Sequence, residues 1–306
     1  MRNKFVETLV ELAKKNKSIE LVTGDLGFGV LKPFWENCPD QFTNAGIAEQ
    51  NMTSLAAGMA LEGKIVFTYS IGNFPTLRCL EQIRNDCAYH NANVKIVCVG
   101  GGFVYGSLGM SHHATEDLSV MRALPNMVIM APGDTLEMEY CLRALAQHNG
   151  PGYLRLGRGG EPQVHSSITG FAIGKAIKIN DGDRVALFST GAILSEVIEA
   201  KNILLSRGVN PAVFSFPTIK PIDKETICAC AKDYDLIVTC EENNITGGFG
   251  SAVAEILCEL KGTRAVLRKI GIKDIYCSSV GDQKYLRKIC GIDAESIAQT
   301  VADSLL

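Results

Sequence analysis

Lys64-Ile65-Val66-Phe67-Thr68 and Val94-Lys95-Ile96-Val97-Cys98-Val99 are short apolar runs rich in β-branched residues, and a helix-like run near 74–90 separates them. Such runs read as strands buried on both faces of a parallel sheet. The alternation extends outward in both directions. Ile19-Glu20-Leu21-Val22-Thr23 and Met127-Val128-Ile129-Met130 read as strands, with helical patterns near 2–16, 48–62 and 134–148. After Gly150-Pro151-Gly152-Tyr153 comes a Gly/Pro/Ser-containing stretch from Gly157 to Gly170. The pattern then resumes with strands at 184–188, 211–216, 235–240 and 264–269 and helices at 193–207, 223–232 and 248–260. This predicts an α/β protein of two doubly wound domains, 1–165 and 182–306, joined by a linker at 166–181.

Composition narrows the function. Thirty basic against 33 acidic residues give a net charge of -3, which argues against an electrostatic nucleic-acid binder. No apolar run approaches the ~18–20 residues that span a bilayer. Met1-Arg2-Asn3-Lys4-Phe5-Val6-Glu7 reads as the start of an amphipathic helix without the apolar core of a signal peptide, so a cytoplasmic location is expected. The 11 cysteines are scattered without Cys-x-x-Cys spacing and read as small buried hydrophobes in a reducing compartment.

Ligands of open α/β sheets bind beyond the carboxyl ends of strands, so the loops there hold the candidate chemistry. Asn44-Ala45-Gly46-Ile47-Ala48-Glu49-Gln50-Asn51-Met52 opens a helix. An acid in a first turn is stabilised by the helix dipole, so Glu49 also reads as a plain capping residue. The loop from Gly100 to Asp117 holds five glycines, which permit close backbone approach to a ligand, and carries His112-His113. It is not a Gly-x-x-x-x-Gly-Lys-Ser/Thr nucleotide loop. Histidine carries protons near neutral pH, and with no further Cys/His set a zinc site is not expected. Arg155-Leu156-Gly157-Arg158-Gly159-Gly160 suits a phosphate or carboxylate, or an arginine paired with a carboxylate across the domain boundary.

Together, Phe42-x-Asn44-x-Gly46-Ile47-Ala48-Glu49-Gln50-Asn51-Met52, Gly109-x-Ser111-His112-His113, Met121-Arg122-Ala123-Leu124-Pro125-Asn126-Met127 and Arg158 resemble the pyrimidine-binding domain of transketolases. Phe216-Pro217-Thr218-Ile219-Lys220-Pro221-Ile222-Asp223 and the glycine-rich run from Glu241 to Gly250 look like that family's C-terminal domain. The resemblance covers essentially the whole chain, in order. It implies thiamine diphosphate bound between subunits, with the aminopyrimidine on the domain resembled here and the diphosphate and Mg²⁺ on another. Glu49 matches the glutamate that hydrogen-bonds N1′ and favours the imino tautomer, whose 4′ nitrogen then removes the thiazolium C2 proton. Ile47 and Gln50 belong to the same cofactor-binding motif. Phe74 matches the aromatic stacked on the pyrimidine; core packing at a helix start is its other reading. His112 matches the histidine over the thiazolium, where it handles substrate hydroxyl protons. His113 is a second substrate-side residue or a structural neighbour. Arg158 matches the arginine that binds the distal phosphate of sugar phosphates, and Asp25 lies at a strand end that the family uses near the subunit contact.

The chain departs from the family at the substrate side. Leu108 stands where an aspartate usually reads a donor hydroxyl, Gly100 where a phosphate-contacting histidine is frequent, and Ile71 and Leu77 at positions often aromatic. The Gly-Asp-Gly and downstream Asn of a diphosphate domain are missing; Asp181-Gly182-Asp183 is the nearest string. Mg²⁺ demands hard oxygen ligands, so no metal ligands are assigned to this chain. The resemblance therefore implies the C-terminal subunit of a split, thiamine diphosphate-dependent transketolase. Such an enzyme moves a two-carbon ketol unit from a ketose, expected to be phosphorylated, to an aldehyde. Its partner would be an N-terminal subunit carrying the diphosphate/Mg²⁺ domain, in a dimer of heterodimers, with neither nucleic acid nor membrane as partner. The alternatives are a deoxyxylulose-phosphate-synthase-like enzyme, the β subunit of a 2-oxo acid dehydrogenase E1, or a non-catalytic scaffold subunit.

Overall fold

The structure is a computed structural model that describes residues 1–262 and 264–305. The first half runs α1 (Arg2–Lys15), β1 (Ile19–Thr23), α2 (Lys32–Asn37), β2 (Phe42–Asn44), α3 (Glu49–Leu61), β3 (Ile65–Ile71), α4 (Leu80–Gln82), β4 (Val94–Val99), α5 (Asp117–Ala123), β5 (Val128–Met130), α6 (Thr135–Gln147) and β6 (Gly152–Leu156). The second continues with β7 (Ile177–Asn180), β8 (Val185–Thr190), α7 (Leu194–Ser206), β9 (Ala212–Ser215), β10 (Thr218–Lys220), α8 (Lys224–Asp233), β11 (Leu236–Asn244), α9 (Phe249–Glu259), β12 (Val266–Ile272), α10 (Gln283–Ile289) and α11 (Ala294–Leu305).

The two expected doubly wound units are present. One sheet has the order β10-β5-β6-β4-β3-β1-β2 and the other β12-β11-β8-β9-β7. All six residues of β4 are buried, because helices cover both faces, and this is why the strand reads as an unbroken apolar run. Three helices start on aspartate caps. Asp134 Oδ1 accepts from the amides of Leu136 and Glu137 at 3.0 and 2.9 Å, and Asp223 and Asp282 cap α8 and α10 in the same way.

The structure differs from the sequence reading in three places. The helix expected over 74–90 begins at Leu77 as a 3₁₀ turn and widens into a π-helix over Ile83–Tyr89. Pro75 disfavours a helical Phe74, which stays in a turn. In the expected linker 166–181, Ile177–Asn180 is β7, an antiparallel edge strand paired with β9. From within the second half, β10 leaves to pair antiparallel with β5, so the second half completes the first sheet.

That exchange welds the halves. One apolar cluster runs from Val22, Met52 and Ile129 to Phe188, Phe216 and Phe249. At its rim Arg122 donates to the Gly247 carbonyl and pairs with Glu255, while Lys220 Nζ donates to the Arg122 carbonyl at 3.0 Å. Eight of the cysteines are buried and none is bonded to another; Cys258 is exposed.

Candidate active site

The first sheet changes winding direction between β1 and β3, which places a crevice beyond their carboxyl ends. Asp25 and Asn44 tie the strand ends there. Asn44 Oδ1 accepts from the amides of Asp25 and Gly46, both at 3.0 Å, and its Nδ2 donates to Asp25 Oδ1 at 2.9 Å. Asp25 takes a left-handed φ of 56°, a conformation that Asp and Asn tolerate better than most residues. The clamp sets the turn that delivers Glu49 into the first turn of α3. There the residue is 4% exposed, its side chain against Gly24.

Glu49 is not a simple cap. Its Oε2 pairs with Arg78 Nη1 at 2.8 Å. The Arg78 guanidinium lies 4.5 Å from the centroid of the Phe74 ring, and that ring meets the His112 ring edge-on at 5.3 Å. A continuous run Glu49–Arg78–Phe74–His112 therefore lines the crevice: a carboxylate, a cation, an aromatic face and an imidazole. Phe74 is half-buried at this edge.

The loops carrying Phe74 and His112 are fastened together. Asn73 Nδ2 donates to the His113 carbonyl, and a Cβ on Gly72 would come within 3.2 Å of the His112 carbonyl. Gly72 also has φ 51°, so close approach and backbone conformation both favour glycine there. Gln50 reaches the Arg78 carbonyl at 3.2 Å, whereas the Ile47 side chain points outward and is 80% exposed.

His113 diverges from its neighbour. It is buried with its ring edge-on to Phe103 at 5.1 Å, and burial lowers its pKa below the ordinary 6.5. It sits at the seam between the halves, away from Phe74. The two arginines of the glycine-flanked motif also separate. Arg155 pairs with a carboxylate of its own domain, lying 2.9 Å from Asp117, and across the domain boundary it donates to the main-chain carbonyl of Glu242 at 2.9 Å. Arg158 is exposed and makes no hydrogen bond or ion pair among the described residues; its guanidinium lies 5.8 Å from the centroid of the Tyr105 ring. Leu108 is exposed on the same rim. Asp181-Gly182-Asp183 lies at the amino end of β8, where Gly182 packs against the backbone of Pro211 and Ala212. Sequence reasoning missed Arg78. Its signal was a cation four residues after an aromatic at a proline-started helix, too common a pattern to single out.

Residues 1–162 match the pyrimidine-binding domain of transketolase and residues 174–297 the transketolase C-terminal domain. A Methanocaldococcus jannaschii protein named for the C-terminal section of a transketolase is 39% identical over 100% of this chain and 96% of its own length. One subunit of an apulose-4-phosphate transketolase from Actinobacillus succinogenes is 34% identical, over 97% of this chain and 96% of its own. Among solved structures, a split gene transketolase, described as an inactive beta4 tetramer, superposes with a TM-score of 0.91 at 34% identity, covering 99% of this chain and 97% of that one.

Proposed function

The chain belongs to the transketolase family, whose members depend on thiamine diphosphate, and from that premise we propose that it is the C-terminal subunit of a two-component transketolase. The reaction is transfer of a two-carbon ketol unit from a ketose, with a phosphorylated donor preferred, to an aldehyde. The observation that carries this reading is the run Glu49–Arg78–Phe74–His112 at the crevice of the first sheet. The relatives that match end to end are themselves a separate section and a subunit, which supports a split enzyme over one joined chain.

The residues fit the pyrimidine half of the cofactor. Glu49 has one oxygen held by Arg78, and its Oε1 accepts no hydrogen bond among the described residues, so a near-buried acceptor faces the crevice beside an aromatic surface. Bound thiamine diphosphate supplies the carbon nucleophile that carries the two-carbon unit. Glu49 holds a proton at the pyrimidine N1′, and Arg78 fixes the carboxylate that does so. Phe74 and Gln50 shape the pyrimidine pocket, with Ile47 directed to the partner-facing rim. His112 exchanges protons with donor and acceptor hydroxyls, positioned by the Phe74 ring. Arg158 binds the donor phosphate, while His113 supports the loop from the domain seam. The diphosphate and Mg²⁺ fall to an N-terminal partner subunit, and a dimer of the two-subunit unit closes the assembly.

Calorimetric titration with thiamine diphosphate and Mg²⁺ tests the division of labour. Weak binding to this chain and tight binding once the partner is added are expected. Tight binding by this chain on its own would overturn the split site.

A further inference from the structure

Arg158 stands between Gly157 and the pair Gly159-Gly160, whose φ values of 139° and 85° belong to glycine. A side chain on so pliant a loop, with no hydrogen bond or ion pair among the described residues, needs something else to define where its charge sits. The structure offers the face of Tyr105. That ring is itself seated closely. A Cβ at Gly100 would stand 2.2 Å from Tyr105 Cδ2 and Cε2, so the ring fills the space that any side chain at the end of β4 would occupy. Tyr105 packs on the core cluster that includes Tyr69, Val99 and Leu156, and its loop is closed by the Gly106 amide bonding the Phe103 carbonyl at 2.8 Å and the Leu108 amide bonding the Tyr105 carbonyl at 2.9 Å.

We propose that Tyr105 is a positioning residue for the donor phosphate: seated on Gly100, its ring holds the Arg158 guanidinium where a phosphorylated ketose presents its distal anion. This rests on the assignment of Arg158 to that phosphate. A planar cation over an aromatic face keeps its N–H edges free to meet an anion, so the platform orients Arg158 without using up its donors. It also fits Gly100, whose φ of 91° favours glycine in its own right. The rim of the site at β4 is built by a ring from the following loop, which leaves the strand end no room for a side chain of its own.

The test uses this chain reconstituted with its partner subunit, with KM and kcat measured for one ketose as phosphate ester and as free sugar. Tyr105→Leu is expected to raise KM for the phosphorylated donor about tenfold with kcat held, and to leave the free sugar unchanged. Tyr105→Phe keeps the ring and should match the parent. Gly100→Ala displaces the ring without removing it and should reproduce Tyr105→Leu, which serves as the test should that variant fail to assemble. If Arg158→Ala abolishes the phosphate preference while Tyr105→Leu and Gly100→Ala retain it, the platform is overturned and the Arg158 assignment stands. If Arg158→Ala retains the preference, both fall.

Discussion

The two sheets present their strand ends in opposite ways. Beyond β1 and β3 the crevice is lined by Glu49, Arg78, Phe74 and His112 and bordered by exposed side chains such as Ile47 and Leu108. The second sheet changes winding direction between β8 and β11, and where its crevice meets the first domain it is filled by protein side chains. There Arg155 enters from β6, and the cavity it shares with Gly191, Ala192 and Glu242 is only about 10 Å³, about the least that admits one water. Glu242 backs the plug by accepting from the Phe103 amide at 2.7 Å and pairing with Arg287 at 2.6 Å. Glu241 beside it accepts from the amides of Phe249 and Gly250, both at 2.8 Å, at the start of α9. One architecture thus serves two ends in the proposed reading: a carboxylate held for a ligand in the first domain and carboxylates held for the protein itself in the second.

Carboxylate removals test the contrast most directly. Glu49→Ala should lower kcat of the reconstituted complex by about 10³-fold, the range of a lost acid-base group, while its unfolding midpoint stays near the parent's. Equal loss of stability and activity would show the first crevice to be as structural as the second. Glu242→Ala should do the reverse. Leaving buried Arg287 with Glu196 as its remaining carboxylate should cost about 3 kcal/mol in denaturant unfolding, before any effect on chemistry.

A smaller effect separates the ends by pH. Burial pushes Glu241 from its ordinary 4.5 up to about 7. A raised carboxyl favours the folded state while protonated, so its contribution is complete below about pH 4.5 and is lost as pH rises through about 7. Glu241→Gln, neutral throughout, should reduce the fall in stability across that window by up to about 3 kcal/mol, measured by unfolding at several pH values. Some slope should persist, because burial raises Glu137, in the first turn of α6, to about 7 as well. Smallest of all is Leu108→Asp. At an exposed rim position it should shift stability by no more than about 0.5 kcal/mol, and a larger loss would mean that the open end is less open than it looks.

Much of this was legible before any coordinates. Buried parallel strands announce themselves as apolar runs, and Asn44, Glu49, Phe74 and His112 stand in motifs whose spacing survives translation into space. Arg78 was not legible, because its role depends on a turn at Pro75 that brings a mid-helix pattern back onto Glu49. The edge strands β7 and β10 escaped too. Three or four residues carry little periodicity, and what makes them strands is a partner far along the chain.

The sequence by itself determined the two-domain α/β plan and which side chains could serve as acid, aromatic face and imidazole, since these follow from local pattern and residue chemistry. Only the tertiary structure decided which groups stay at the crevice and which are buried and paired within the fold. Arg155 and Arg158 are three residues apart in one glycine-flanked motif, yet one is buried against Asp117 and Glu242 and the other rests on Tyr105 at the surface. His112 and His113 are adjacent, and their rings contact Phe74 and Phe103 respectively. Burial and pairing are set by residues distant along the chain, so neighbours with the same chemistry acquire different work.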